Sequence, residues 1–540
     1  MNYRISIAAA FALSLTVAAS AQSMYDGLNY TDVNNYGTAR SMALGNAMTA
    51  VGGDLGSISL NPAGSAVFKY SVFSMSTGFS QGETSSSYSS VAGSDVFTGG
   101  YNDSKTRMTM PNIGHVMYVP SGVPGVLRSI SWGLLVNTTN RSLDRMTSMG
   151  TNSNTSMMGA MAYNANGVNC SDLSSSNAYS NYAWPIPLSY NAWLIGEYGG
   201  HADQYLGTTE REFDDGTIGL AGPVDQKFIM QHTGSRNDLT LNAAANFCDK
   251  VFIGMNINFP MISYNEDIYM REDAVDPADF EMTVNGGAVT RFLSGYHRYY
   301  LNAEGEGINA QFGAIVLPFA GLRLGASIKT STLYSITERW GYDAGTTFTK
   351  SPVNGGQPYA ASPDGEYTYM LKSPSEYNLG IAYTLGSSLL LSMDVSGINY
   401  GKMKFRSSEN TFASDEFDAV NADIRDFAGK TEIHRFGVEW KLSSAFALRY
   451  GNETKKYKTP GEESSKTKSS KTKSNTLGIG YSGGGSFFAD LAARVCKYPY
   501  QWYYPYADYM YDGDDLILRS AEVGYSKKML DVVLTLGWRF

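Results

Sequence analysis

The C-terminal run of the chain alternates strictly. Val532, Leu534, Leu536, Trp538 and Phe540 fall on one face of an extended segment; Asp531, Val533, Thr535, Gly537 and Arg539 fall on the other. A period of two is the mark of a strand. A strand with one wholly apolar face and a polar opposite face suits lipid outside and water inside. The same alternation recurs upstream at Val251–Phe259, Leu322–Lys329, Glu376–Leu385 and Ile130–Val136. Laid end to end, it predicts strands over 70–80, 107–119, 129–137, 239–247, 251–259, 309–317, 322–330, 376–385, 389–397, 432–442, 446–451, 475–482, 487–495 and 527–540. Connections of a few residues alternate with long ones, the longest spanning 138–238. Short periplasmic turns and long extracellular loops are the habit of outer-membrane barrels. Residues 516–525 also alternate, but an odd count would leave the chain ends on opposite sides of a single-chain bacterial barrel, so they are assigned to the last long loop. The expectation is an all-β, antiparallel transmembrane barrel of about fourteen strands.

Composition agrees with that class. Charged residues are 17% of the chain, against roughly 25% in soluble proteins. Tyr (38) and Gly (57) are abundant, and the mean hydropathy of −0.23 excludes a bundle of apolar helices. Residues 1–21 read as a secretory signal: Arg4, an apolar stretch from Ile5 to Ala18, and the small-residue site Ala19-Ser20-Ala21. Export to the bacterial outer membrane follows. The net charge of −9 offers no footprint for nucleic acid. Cys170, Cys248 and Cys496 are too few and too scattered for a disulfide framework or a zinc site. His115, His201, His232, His297 and His434 come with no nucleophile elbow, zinc pair or phosphate loop, so no enzyme, metal or cofactor is expected. Asp512-Gly513-Asp514-Asp515 lacks the spacing of a calcium loop and reads as a turn.

Residues 22–69 precede the first strand and turn from polar to small and apolar. Ala43, Leu44, Ala47 and Val51 lie at spacings of three and four, which predicts a helix over 41–51 ended by Gly52 and Gly53. Asn61-Pro62-Ala63-Gly64 reads as a turn. So many small residues suit the inside of a narrow lumen. The segment is expected to be a plug, with 70–540 as the barrel; a periplasmic tail docked on the rim is the alternative.

These residues also carry a resemblance. Gly37–Ala50 (GTARSMALGNAMTA), Gly53-Asp54 and Asn61-Pro62-Ala63-Gly64 resemble the plug of the FadL/TodX-type outer-membrane transporters of hydrophobic compounds, the long-chain fatty acid transport family. Gly437-Val438-Glu439-Trp440, Phe446–Gly451 (FALRYG), Leu477–Tyr481 (LGIGY), Ala489-Asp490-Leu491 and the ending Leu536–Phe540 (LGWRF) are similar to its last strands. The resemblance implies a plugged fourteen-stranded barrel. It implies passive uptake of long-chain fatty acids or similar hydrophobic molecules, caught by extracellular loops and released past the plug, with lateral exit beside a kinked strand. Phe540 is similar to the terminal signal read by the barrel-assembly machinery.

Candidate ligand contacts follow from chemistry. Loop 138–238 carries Met157, Met158 and Met161 with Trp184 and Trp193, and the last loop carries Trp502 among many tyrosines. Met is adaptable and suits promiscuous surfaces, whereas such aromatics also form the general girdle of this class. Alternation places Glu439, Arg449, Asp490, Arg494 and Arg539 on the luminal face, where charges should pair into a network. Arg449 is the candidate for a ligand carboxylate, because Arg grips one bidentately; an ion network fixing the plug is its bland alternative. The lysines of 452–474 face lipopolysaccharide phosphates or simply water. Expected partners are hydrophobic small molecules, outer-membrane lipid and lipopolysaccharide, with the protein a monomer. A polar porin, a protein-secretion shuttle and a haem receptor are the competing functions.

Overall fold

The computed structural model describes residues 22–94, 96–122, 125–284, 287–408, 416–458, 471–510 and 517–540. The signal segment, Asp512–Asp515, Lys466 and Lys468 lie outside the described residues. Fourteen antiparallel strands form a closed barrel. They are β1 (Val72–Ser89), β2 (Thr98–Pro120), β3 (Leu127–Asn152), β4 (Val224–Phe247), β5 (Val251–Ala274), β6 (Ala288–Val316) and β7 (Leu322–Lys329). The rest are β8 (Glu376–Leu385), β9 (Leu389–Asn399), β10 (Lys430–Lys441), β11 (Phe446–Lys458), β12 (Lys471–Ser482), β13 (Phe487–Lys497) and β14 (Glu522–Arg539). Each pairs with the next, and β14 returns to β1 in unbroken register from Val72↔Arg539 to Ser89↔Glu522. Closure pairs the strand edges that an open sheet would leave bare in lipid, except where the β2–β3 ladder stops above Asn112. The backbone N–H of Phe540 donates to the Ser71 carbonyl and fastens the last residue to the seam.

The alternation locates the membrane. On β5, Ile253, Met255, Ile257 and Phe259 face outward and are exposed; on β8, Tyr377, Leu379, Ile381 and Tyr383 do the same. Their luminal neighbours are polar, buried and bonded: Asn258 donates to Asn309 (2.8 Å) and Asn242 to Asn256 (2.7 Å). Among the described residues, no helix is long and apolar enough to cross a membrane.

The strands are longer than their alternation indicates. β4, β5 and β6 run for 24, 24 and 29 residues, so most of 224–238, 260–274 and 288–308 is wall, not loop. The cause is solvent. Above Ile308 the outward face of β6 is Glu306, Glu304, Asn302, Tyr300 and Arg298, with Arg298 bridged to Asp267 at 2.6 Å. With water outside as well as inside, an apolar face is no longer required and the signal fades. The segment 516–525, assigned to the last long loop on strand parity, is corrected in part: Glu522–Tyr525 are the upper end of β14 and add no strand to the count.

Residues 22–68 lie inside the barrel. Helices α1 (Met24–Thr31), α2 (Ala39–Ala43) and α3 (Leu55–Ile58) and a 3-10 turn at Pro62–Val67 follow one another, each capped by a side-chain oxygen, from Ser23, Thr38, Asp54 and Asn61 respectively. The helix expected over 41–51 stops at Ala43 instead. Gly45 and Asn46 take left-handed φ values of 60° and 59°, which ends the helix and turns the chain along the wall. Ala39, Met42, Ala43, Leu44, Ala47 and Met48 are fully buried.

The wall makes room for this segment with glycine. Gly254, Gly313, Gly325, Gly380, Gly437, Gly451 and Gly478 sit on seven strands where the plug touches them. A Cβ at Gly313 would lie 2.0 Å from Asn61 Oδ1, at Gly325 2.2 Å from the Thr49 carbonyl, and at Gly451 2.0 Å from the Gly45 nitrogen. Plug backbone therefore rests directly on wall backbone.

Candidate functional site

Buried ions tie plug to wall. Arg40 of the plug binds Glu439 of β10 through Nε (2.9 Å) and Nη2 (3.2 Å). Glu439 also accepts from Arg449 of β11 at 2.7 Å, and Arg449 reaches Asp490 of β13 at 2.6 Å. A second knot lies beside it. Arg494 pairs with Asp531 at 2.9 Å and donates to the Asn35 carbonyl of the plug at 3.1 Å. The Tyr36 ring lies between the Arg141 and Arg494 guanidinium groups, each 4.3 Å from its centroid. Lys455 binds Asp32 and the Val33 carbonyl. Of the expected luminal charges, Glu439, Arg449 and Asp490 are brought together. Arg494 belongs to the second knot, and Arg539 stands apart, donating to Ser482 at 2.8 Å and covering the rings of Tyr70 and Phe488.

The motif Asn61-Pro62-Ala63-Gly64 holds the end of the plug against β4, β5 and β6. Asn61 accepts from the Ala63 N–H (3.1 Å) and donates to the carbonyls of Thr49 (2.7 Å) and Ala314 (3.0 Å). Asn242 of β4 donates to the Pro62 carbonyl at 3.0 Å.

The wall has a break in its ladder. β2 and β3 pair only from Asn112↔Asn137 down to Pro120↔Ser129. Pro111 follows directly above. It has no N–H to give, and a register shift against β1 lies beside it. Above the break β3 leans inward across β1, where the Thr84 and Ser86 hydroxyls donate to the Arg145 and Thr147 carbonyls. The β3 edge that β2 gives up is taken by the plug: Asn34 and Tyr36 N–H donate to the Thr139 and Thr138 carbonyls at 2.8 and 3.1 Å. Met108 and Met110 stand exposed on β2 at the rim, and Met108 lies opposite Phe79, itself part of the outward apolar band.

A second interruption separates β7 from its continuation at Leu333–Phe348, and β8 from the strand Gly365–Lys372, with Pro374 again at the break. Here Thr31 of α1, Arg236, Lys329, Pro374 and Glu376 line a cleft of about 20 Å³, room for a single water.

The mouth at the long-loop end of the barrel is roofed. Helices α4 (Met157–Ala165) and α5 (Pro185–Asn191) drop Met157, Met158 and Leu188, and the turn after α5 drops Leu194, into a cluster with Tyr88 of β1, Phe228 of β4, Met270 of β5, Phe292 of β6 and Val523 of β14. Ser156 caps α4, and the Met157 N–H donates to Glu272 at 2.7 Å. Trp184 stacks on Trp340 (5.7 Å) and meets Tyr342 edge-on (6.4 Å); Trp193 meets Phe348 at 6.4 Å. Both candidate tryptophans thus belong to the roof. Trp502 does not join them: it lies against Tyr500 (4.9 Å) and Phe97 (5.6 Å), while its neighbour Tyr503 points into the cluster. Phe540 is 75% exposed at the lower rim.

Several groups escaped sequence reasoning. Arg40 lies 399 residues from its partner Glu439, a pairing only closure reveals. His232 lies between Asp144 (3.0 Å) and Glu266 (3.5 Å), and Lys527 completes this chain at 2.6 Å from Asp144. Asp144, His232 and Glu266 sit on strand halves read as loop, where no face was assigned; Lys527 opens the last expected strand. Cys170, Cys248 and Cys496 are unpaired thiols.

No family model matches the chain, and no curated protein matches it. Solved structures do. A mutant of the TodX monoaromatic hydrocarbon channel superposes with a TM-score of 0.50 at 10% identity, over 94% of this chain and 100% of that one. A Pseudomonas aeruginosa FadL homologue gives 0.48 at 12% identity, over 94% and 99%. The Pseudomonas putida toluene transporter TodX gives 0.48 at 12% identity over the same shares. The likeness is one of fold: this chain, a closed barrel of fourteen strands, shares the fold of the TodX channel mutant over 94% of its length.

Proposed function

We propose that the protein is an outer-membrane channel for passive uptake of hydrophobic molecules. They enter through the roof of Met and aromatic residues, pass the upper lumen and leave sideways at the β2–β3 break. The observation that carries this reading is the pairing of a filled lumen with a broken wall. A polar porin needs an open aqueous bore, whereas here plug backbone rests on wall backbone around seven strands. The ladder stops instead at Pro111, within the apolar band, with Met108 and Met110 on its rim. A hydrophobic molecule released there enters lipid without crossing the polar knots below.

Chemistry supports the upper route as well. A roof of methionine and aromatic side chains adapts to apolar shapes. Arg449, Arg40 and Arg494 each already bind carboxylates, so a fatty-acid head group competes with Glu439, Asp490 and Asp531 for them. We therefore assign Arg449 to fixing the plug, and leave ligand contact to the roof, with Trp184 and Trp193. Long-chain fatty acids remain within the class of molecules carried, held by their tails. The signal at residues 1–21 and the terminal Phe540 fit export and assembly in the outer membrane.

The test is uptake by vesicles. Liposomes holding the purified protein are expected to take up a fluorescent fatty acid or an alkylbenzene faster than empty ones, yet stay tight to small sugars. Sugar leakage at porin rates without hydrophobic uptake would overturn the proposal.

A further inference from the structure

Beneath the roof one polar side chain stands alone. His297 of β6 is 1% exposed, and among the described residues neither ring nitrogen has a hydrogen-bond partner. Its ladder neighbours are Met270 on β5 and Ala344 on the other side. The Tyr342 ring lies 5.5 Å away, and Tyr299 packs on Tyr342 at 4.8 Å. One step along the strand, the roof descends: a Cβ at Gly295 would lie 2.3 Å from Met158 Cε and 2.9 Å from Leu194 Cδ2. Trp184 closes the side over Tyr342. A second unpartnered group, the Tyr503 hydroxyl, is buried in the same roof cluster. Polar atoms buried in an apolar cluster without partners are costly. Here two of them lie under the roof, on the entry route proposed above.

We propose that His297 is the polar contact of a ligand subsite under the roof, and that it takes the hydroxyl of an uncharged hydrophobic molecule, an alkylated phenol or similar aromatic alcohol.

The chemistry selects that class. The outward neighbours Arg298, Glu304 and Glu306 place this stretch above the bilayer, and burial among apolar groups lowers the His297 pKa to about 4. At neutral pH the imidazole is uncharged, with one N–H and one lone pair. A hydroxyl can use either; a plain hydrocarbon uses neither. A carboxylate is disfavoured, because the charges that act on Tyr299 and Tyr342 are those of Glu266, Asp26 and Glu338, and His232 is already held between Asp144 and Glu266. Tyr299, Tyr342 and Trp184 present aromatic faces and edges to a ring. Met158, unbranched and flexible, is the roof side chain that must give way. A site that bonds a hydroxyl discriminates strongly against the analogue lacking it, since the polar group is then left unpaired.

The subsite rests on the channel reading, and the experiment separates the two. Equilibrium dialysis of the full-length protein in detergent measures binding of 4-hexylphenol, hexylbenzene and heptanoate, each corrected for partition into protein-free micelles. The phenol is expected to bind at least about tenfold tighter than hexylbenzene to the wild type. His297→Leu should remove that preference by weakening the phenol alone, and His297→Gln, which restores a donor and an acceptor, should recover part of it. Equal binding of phenol and hexylbenzene by the wild type, a comparison that needs no variant, would overturn the subsite. So would a preference that survives in His297→Leu, which would assign it to another group or to a buried water. Vesicle uptake of hexylbenzene separates the claims: uptake with no phenol preference defeats the subsite alone, and no uptake of either compound defeats the channel.

Discussion

Glu439 shows what a single residue does in this lumen. It is buried and accepts from two guanidinium groups, one on the plug and one on the wall. The pair is not an addition to stability in itself, since burying ions costs about what their attraction returns. Its removal is another matter. Glu439→Ala leaves Arg449 buried and Arg40 partly buried with one shared partner fewer, and we expect a loss of about 3 kcal/mol, read as a lower urea midpoint for the gel shift between unboiled and boiled protein. Arg449→Ala makes a sharper distinction. It is expected to weaken binding of a fatty acid and of its uncharged analogue equally, because the side chain is bonded to Glu439 and Asp490 and not presented to the route. Loss confined to the acid would restore Arg449 as a ligand contact. Sequence alternation was enough to put Glu439, Arg449 and Asp490 on one luminal face. It could not reveal Arg40 as their partner, because the plug has no strand period and closure alone brings position 40 to position 439.

At the scale of elements, legibility follows the solvent. The lower halves of β5, β7, β8 and β14 were readable because lipid demands an apolar face and water a polar one. The upper halves of β4 and β6 were not, because both faces meet water or the packed roof, and β6 turns outward with Arg298, Glu304 and Glu306. The fourteen-strand count survived because each strand has a lower half. The roof, with α4 and α5, was legible only as a greasy loop. The wall glycines were visible as luminal residues, but their purpose was not. A Cβ at Gly325 would meet the backbone of Thr49, which cannot swing aside as a side chain can. Gly325→Val is therefore expected to push the plug from the wall and to produce ion conductance in planar bilayers. Gly484, with nothing within 4 Å of its would-be Cβ, supplies the control, and Gly484→Val should conduct no more than the wild type. Equal behaviour of the two variants would mean that the contact does not hold the plug.

The whole molecule, on the proposed reading, joins a fixed plug to a route through the wall. Asn46 is 2% exposed and donates to the Asn35 carbonyl at 3.0 Å, deep in that plug. A cysteine there should resist bulky thiol reagents from either side of an intact membrane; rapid labelling from the periplasm would mean a mobile tail. The route itself is tested most directly at its rim. In a chain whose own three thiols are replaced, Met110→Cys places a single reactive group beside the β2–β3 break, on the lipid side of Pro111. Uptake of a fluorescent hydrophobic probe into liposomes is then measured before and after attachment of a bulky maleimide, with the same label on an equally exposed outward site, Leu379→Cys on β8, as the reference. The account predicts that the label at position 110 slows uptake severalfold while the label at position 379 leaves it unchanged. Equal uptake for both labelled proteins would contradict a lateral exit at the β2–β3 break.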